Sequence, residues 1–168
     1  MPLIEIITKS AEETKKIADN LAQDLNPTHN LHCAKRKKLN IVQVMCGIKH
    51  AFIIAIEGNL GSGKTTFIQG LAVGLGVKES VLSPTFLILK QFSISFKGYK
   101  NFYHIDAYRL KNSTELLELG FEDLLSNPEN VIVIEWADKI KKILPKKILR
   151  IKFVNSGKNR RRIIFYLR

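Results

Sequence analysis

Cysteine is nearly absent from this chain of 168 residues: Cys33 and Cys46 are too few for a disulfide framework. His32, Cys33, Cys46 and His50 do spell His-Cys-x12-Cys-x3-His, four groups able to ligate zinc. Against a zinc site stand the lack of any C-x-x-C pair and the apolar strand into which His50 runs. Free thiols and solvated histidines are the expectation. No apolar run approaches the roughly 20 residues needed to span a bilayer. The start, MPLIEIITKS, lacks the basic region and apolar core of a secretory signal. We therefore expect a soluble, cytoplasmic protein without membrane contact. Repeats and low-complexity stretches are also missing, and the length suits one domain, 1–168, with a sizeable core.

Acidic residues are scarce too. Asp and Glu number 15 against 27 Lys and Arg, for a net charge of +12. Such a balance fits a polyanionic partner, nucleic acid first, and equally fits a compositional bias in a chain rich in Lys, Ile and Asn. The basic run AKRKKLN lies in the least legible part, residues 31–49, where it reads as an RNA contact or as a solvated loop.

What is present has a clear period. Leu3 to Ile7 alternates as a short strand. Ser10 and Glu13 then form a capping box, and Ile17, Leu21 and Leu25 follow at steps of four, which predicts a helix over 10–25. NPTHN at 26–30 breaks it. AFIIAIE (51–57) is a continuous apolar run, as in a parallel strand covered on both faces. Thr65 to Leu75 reads as a helix with Phe67, Leu71 and Leu75 on one stripe, ended by Gly74 and Gly76. TFLILKQFSI and KNFYHID read as strands joined at SFKGY. NSTELLELG is a short helix capped by Asn112 or Ser113 and stopped by Gly120, and VIVIE (131–135) is a second buried strand. KILRIKFV and RRRIIFYLR flank NSGKN as a C-terminal hairpin. Buried strands separated by helices predict an α/β fold with a mostly parallel sheet, flanking helices and antiparallel edge hairpins.

One stretch carries chemistry. Gly58-Asn59-Leu60-Gly61-Ser62-Gly63-Lys64-Thr65 fits G-x-x-x-x-G-K-[ST], with an apolar strand before it and an amphipathic helix after it. Phosphate oxygens are held by several backbone amides at once, so the chain must wrap closely around them, and glycine permits that approach. The helix N-terminus adds free amides and a positive dipole end. Lys64 is expected to reach the β- and γ-phosphates, Thr65 to ligate Mg²⁺, and Thr66 to contact the α-phosphate or cap the helix. Gly61, Ser62 and Gly63 supply the cradle. A phosphate-bound metal also calls for an acid at the end of a buried strand. Glu135, ending VIVIE, and Asp106, ending FYHID, both qualify, one for the metal and the other for an attacking water. Thr85 in SPTF is a further candidate, as a switch residue closing on the γ-phosphate or simply as a strand start. Trp136, the single tryptophan, reads as a shield for the site, a partner surface or a core residue.

In their order, GNLGSGKTTF, SPTF, YHIDAYRL, ELLELGFEDLL and VIVIEWADK resemble the TsaE (YjeE) family, the ATPase component of the bacterial machinery that makes threonylcarbamoyl-adenosine in tRNA. The resemblance is sharp from Ile56 to Lys139 and looser over the first helix and the last hairpin. It implies a P-loop ATPase with weak intrinsic activity that takes ATP and Mg²⁺ and resets a transferase complex of two actin-like-fold subunits, TsaB and TsaD, with tRNA contacted indirectly. It implies magnesium on Thr65 and Glu135, an important carboxylate at Asp106, and Thr85 in a switch-like segment. It places the adenine near Ala11 and near Asn159 or Arg160. Residues 28–49 depart from the family, which usually has a short link there.

Rival functions leave weaker marks. A small-molecule kinase needs an acceptor pocket and an arginine-bearing lid, which GKNRRR (157–162) could imitate. A GTPase switch would need Asn-Lys-x-Asp to read guanine, and the chain has none. A plain RNA-binding module lacks its RNP-like aromatics or KH-type loop.

Overall fold

The computed structural model describes residues 4–25, 49–82, 87–157 and 159–167. Among the described residues, seven strands form one sheet in the order β1-β7-β6-β2-β5-β4-β3. They are β1 (Ile4–Thr8), β2 (Phe52–Gly58), β3 (Leu89–Phe96), β4 (Tyr99–Asp106), β5 (Asn130–Glu135), β6 (Leu149–Asn155) and β7 (Arg161–Leu167). The helices are α1 (Ala11–Asp24), α2 (Lys64–Gly74), α3 (Thr114–Glu118) and α4 (Phe121–Ser126), with 3₁₀ turns at Ala107–Arg109 and Ala137–Ile140.

The sheet is mixed rather than mostly parallel. Three pairings are parallel, β2 with β5, β2 with β6 and β4 with β5. Three are antiparallel, β3 with β4, β6 with β7 and β1 with β7. The expected hairpins are there, β3–β4 and β6–β7. The additional antiparallel pair arises because β1 docks on the outer edge of β7, with Ile4 opposite Phe165 and Thr8 opposite Arg161.

Sidedness follows from strand alternation. Ile54 and Ile56 of β2, Val131 and Val133 of β5, and Phe102 of β4 point into one core with Leu21 of α1 and Phe67 and Leu71 of α2. Ile53, Ala55, Ile132 and Ile134 point the other way, against Leu116 of α3, Phe121 of α4 and Ile140. Burying each such side chain stabilises by about 1.5–3 kcal/mol relative to exposure. With both faces covered, β2 reads as the unbroken apolar run the sequence contains.

Two local details matter for the site. At the α1 start, Ser10 Oγ accepts from Glu13 N–H (3.1 Å), as a capping box requires, but the Glu13 carboxylate accepts from Lys9 N–H (2.7 Å), one residue earlier. For the helix over 114–118, it is the Asn112 carboxamide oxygen that accepts from Thr114 and Glu115 N–H, at 2.9 and 3.2 Å. Parallel register then brings the C-terminal ends of three strands to one edge. Ile56 and Asp106 both stand opposite Glu135, and Gly58 follows Ile56 by two residues.

Candidate functional site

That edge is where the glycine loop turns from β2 into α2. Gly58 has φ +144°, and a Cβ on it would come within 2.7 Å of the Phe153 carbonyl oxygen and 3.0 Å of Ser62 Oγ. Only glycine fits so close an approach to the β6 backbone. Gly63, at the α2 N-cap, has φ +98°, and no side chain caps the helix there. The first-turn amides of α2 therefore face the loop together with the positive end of the helix dipole.

Lys64 is the first residue of α2 and is only 4% exposed. Its ammonium donates to the carbonyl oxygens of Gly58 and Asn59, both at 2.9 Å, and lies 4.1 Å from the Trp136 ring centroid. Burial pulls its pKa below the usual lysine value, opposed by the nearby charges of Glu135, Asp106 and Asp138. Thr65 Oγ1 donates to both oxygens of Glu135, at 3.1 and 3.3 Å. The same carboxylate is bonded to His104 Nε2 at 3.0 Å. Glu135 is 2% and His104 0% exposed, so the pair is fixed inside the protein. Asp106 ends β4 beside Glu135, and its carboxylate accepts from Tyr108 N–H at 3.0 Å.

These groups line a cavity of about 370 Å³ that also takes in Thr66, Trp136 and Arg161. Trp136 is half-buried with φ +57°, an unusual conformation for a bulky residue. Its ring meets Tyr108 at 5.0 Å between centroids while its edge packs on the second core. It packs on the second core and also lines the cavity. A second recess, of about 360 Å³, shares Gly61 and Arg161 with the cavity and is also lined by Ser62, Asn159 and Arg160.

Lys64, Thr65, Thr66, Asp106 and Glu135 thus converge on one cavity, and Gly61 and Ser62 join Asn159 and Arg160 in the adjoining recess. Ala11, at the start of α1, is not among the residues lining either space. Thr85 and residues 28–48 of the 28–49 link lie outside the described residues, as do His32, Cys33 and Cys46. Leu87 and Ile88, just after Thr85, line the cavity, and Ile88 O accepts from Asp106 N–H at 2.9 Å. Among the described residues no His, Cys, Asp and Glu cluster of three could hold a metal, and no helix is long and apolar enough to cross a membrane.

Sequence reasoning missed His104 and Arg161. His104 stands two residues before Asp106 on an alternating strand, so the period of two put it on the same face. Arg161 was hidden among three consecutive arginines, with no periodic signal to single it out.

The chain matches the family described as "Threonylcarbamoyl adenosine biosynthesis protein TsaE" over residues 8–163. It is 38% identical over 113 residues to the tRNA threonylcarbamoyladenosine biosynthesis protein TsaE of Bacillus subtilis, covering 67% of this chain and 68% of that protein. It is 33% identical over 159 residues to the protein of the same name from Rickettsia felis, covering 93% and 75%. The crystal structure of Bacillus subtilis YdiB superposes with a TM-score of 0.66 at 30% sequence identity, over 96% of this chain and 83% of that one.

Proposed function

The chain belongs to the TsaE family, and from that premise we propose that it is a magnesium-dependent P-loop ATPase that serves threonylcarbamoyl-adenosine modification of tRNA by acting on a TsaB–TsaD transferase complex. We read residues 1–168 as one ATPase domain that works in the cytoplasm. The observation that carries the chemistry is the contact between Thr65 and Glu135 at the mouth of a glycine loop. A hydroxyl and a carboxylate side by side are hard oxygen ligands, the donor set that magnesium accepts. The loop fits a phosphate chain as well, because Gly58 leaves no room for a side chain and the α2 amides face the same space.

On this reading the amides of Gly61 to Thr66 cradle the phosphates. Lys64 exchanges its two loop carbonyls for phosphate oxygens, with Glu135 and Asp106 opposing the effect of burial on its charge. Thr65 and Glu135 hold magnesium, which when bound supplies positive charge against the phosphates. His104 holds the Glu135 carboxylate in a single orientation through its Nε2. Asp106, whose carboxylate accepts from Tyr108 N–H beside Glu135, is placed to orient a water toward the terminal phosphate. Trp136 and Tyr108 wall the cavity and limit water entry. Leu60 and Leu87, which line the cavity, are 83% and 63% exposed, an apolar surface for a partner to cover.

Reconstitution tests this. With TsaB- and TsaD-type subunits, tRNA, ATP and magnesium, adding the chain is expected to convert a single round of modification into repeated rounds. Equal multiple turnover without the chain refutes the reading.

A further inference from the structure

We propose that Arg161, supplied by β7, is a phosphate-contacting residue that clamps the non-terminal phosphates of the nucleotide over the glycine loop. The inference rests on the ATPase reading and adds a residue to it.

Arg161 is anchored at its backbone on both sides, opposite Thr8 of β1 and Asn155 of β6. Its side chain crosses directly over the loop. A Cβ on Gly63 would fall 2.4 Å from Arg161 Nε and 2.6 Å from its Cδ, so a bare glycine at 63 is what lets the guanidinium lie there. Its neighbours in the run do other things. Arg162 makes a two-pronged ion pair with Glu5, at 2.5 and 2.8 Å, and Arg160 lines the recess but not the cavity.

The guanidinium is under-used where it lies. Arg161 Nη1 donates to Asn159 O at a long 3.3 Å, and Nε is buried with no hydrogen-bond partner among the described residues. Ser62 Oγ, on the same loop, is also buried and unpartnered. The exposed Glu12, at the start of α1, feels the Arg161 charge. An unsatisfied cationic donor and an unsatisfied hydroxyl facing one glycine loop are the groups an anion would satisfy.

Location decides which part of the anion. Arg161 lines both the cavity that holds Lys64, Thr65 and Glu135 and the recess that holds Asn159 and Arg160. It therefore stands where the two spaces meet, which on the ATPase reading is where the middle of the phosphate chain passes. A clamp there holds ADP and ATP alike.

Titration calorimetry of the full chain with ADP and with ATP tests this for wild type, Arg161→Gln and Arg161→Lys, with thermal unfolding as the check on folding. Arg161→Gln is expected to bind both nucleotides about tenfold to a hundredfold more weakly, by the same factor for each. Arg161→Lys is expected to recover part of the loss, because it keeps the charge but not the planar fork. Unchanged ADP affinity in a folded Arg161→Gln chain overturns the inference and leaves the ATPase reading intact, as does a loss confined to ATP. Wild-type protein that binds neither nucleotide overturns both.

Discussion

Gly70 lies in the middle of α2, against α1, and replacing it with alanine is the sharpest test of how the loop is held in place. A Cβ at this position would meet the Lys15 carbonyl oxygen at 2.3 Å and the Lys15 Cα at 2.5 Å, whereas ordinary contact begins at 3.4 Å. Both obstructing atoms are backbone, so no side chain can swing away. The helices must part by about 1 Å, and a gap of that size forfeits a quarter to a half of the dispersion energy at each facing contact. Ala18, Leu21, Ala22 and Leu25 of α1 and the first residue beyond it, and Phe67 and Leu71 of α2, are all fully or almost fully buried there and all lose contact. Overpacking of this kind costs about 1–3 kcal/mol and often more where backbone is involved. Alanine returns about 1 kcal/mol in helix propensity, which offsets only part of it. With the obstruction being backbone, the cost lies at the upper end of that range, and the expected net loss is about 2 kcal/mol, or about 4–8 °C in Tm for a domain of this size. Urea and thermal unfolding of Gly70→Ala beside wild type read it directly. Val73→Ala, in the same helix at 69% exposure, is the control and is expected to stay within about 0.5 kcal/mol of wild type. Equal or greater stability in Gly70→Ala would refute the argument that α1 seats α2, and with it Lys64 and Thr65, by close backbone contact.

Lys64→Met removes a buried ammonium. Because burial lowers the Lys64 pKa, the unfolded chain binds more protons than the folded one between that depressed value and 10.5, and stability rises with pH across the window. Lys64→Met is expected to lose that rise in urea titrations taken at a series of alkaline pH values, and to lose ATP binding; a pH profile parallel to wild type would contradict the burial argument. His104→Ala strips Glu135 of one of its two side-chain partners, at a cost of about 1–3 kcal/mol in stability. It should also raise the magnesium concentration needed for half-maximal ATP hydrolysis, while His104→Gln, which retains a donor, should raise it less; identical metal titrations for all three proteins would remove His104 from the site. Glu135→Gln and Asp106→Asn are expected to fold and to lose magnesium-dependent turnover by about a hundredfold or more, and normal hydrolysis by both in the presence of the partner complex would show the carboxylates to be misassigned.

Much of this arrangement was legible in the residues alone, where local rules suffice. The apolar run before Gly58, the Gly63-Lys64-Thr65 step and the carboxylates closing VIVIE and FYHID each announce themselves within a few positions, and the structure brings all of them to one edge. What stayed hidden is long-range. His104 looks like an ordinary strand residue until β5 arrives beside β4 and brings Glu135, 31 positions away, within 3.0 Å. Arg161 gains its place only because Gly63, far upstream, leaves a space that a side chain would fill. The sheet came out mixed for the same reason: nothing near Ile4 signals that β1 will pair with β7 at the opposite end of the chain. The capping detail at Glu13 shows the converse limit, where the motif is right and the donor to the Glu13 carboxylate moves by one residue, to Lys9 N–H.

The central claim is that a triphosphate and its magnesium occupy the loop between β2 and α2. A crystal structure with a non-hydrolysable ATP analogue and magnesium tests it most directly. We expect phosphate oxygens within hydrogen-bond distance of the backbone amides from Gly61 to Thr66 and of Lys64 Nζ, with the metal bridging Thr65 Oγ1 and the Glu135 carboxylate. Nucleotide bound elsewhere on the chain, or a metal without Thr65 and Glu135 among its ligands, would contradict the account.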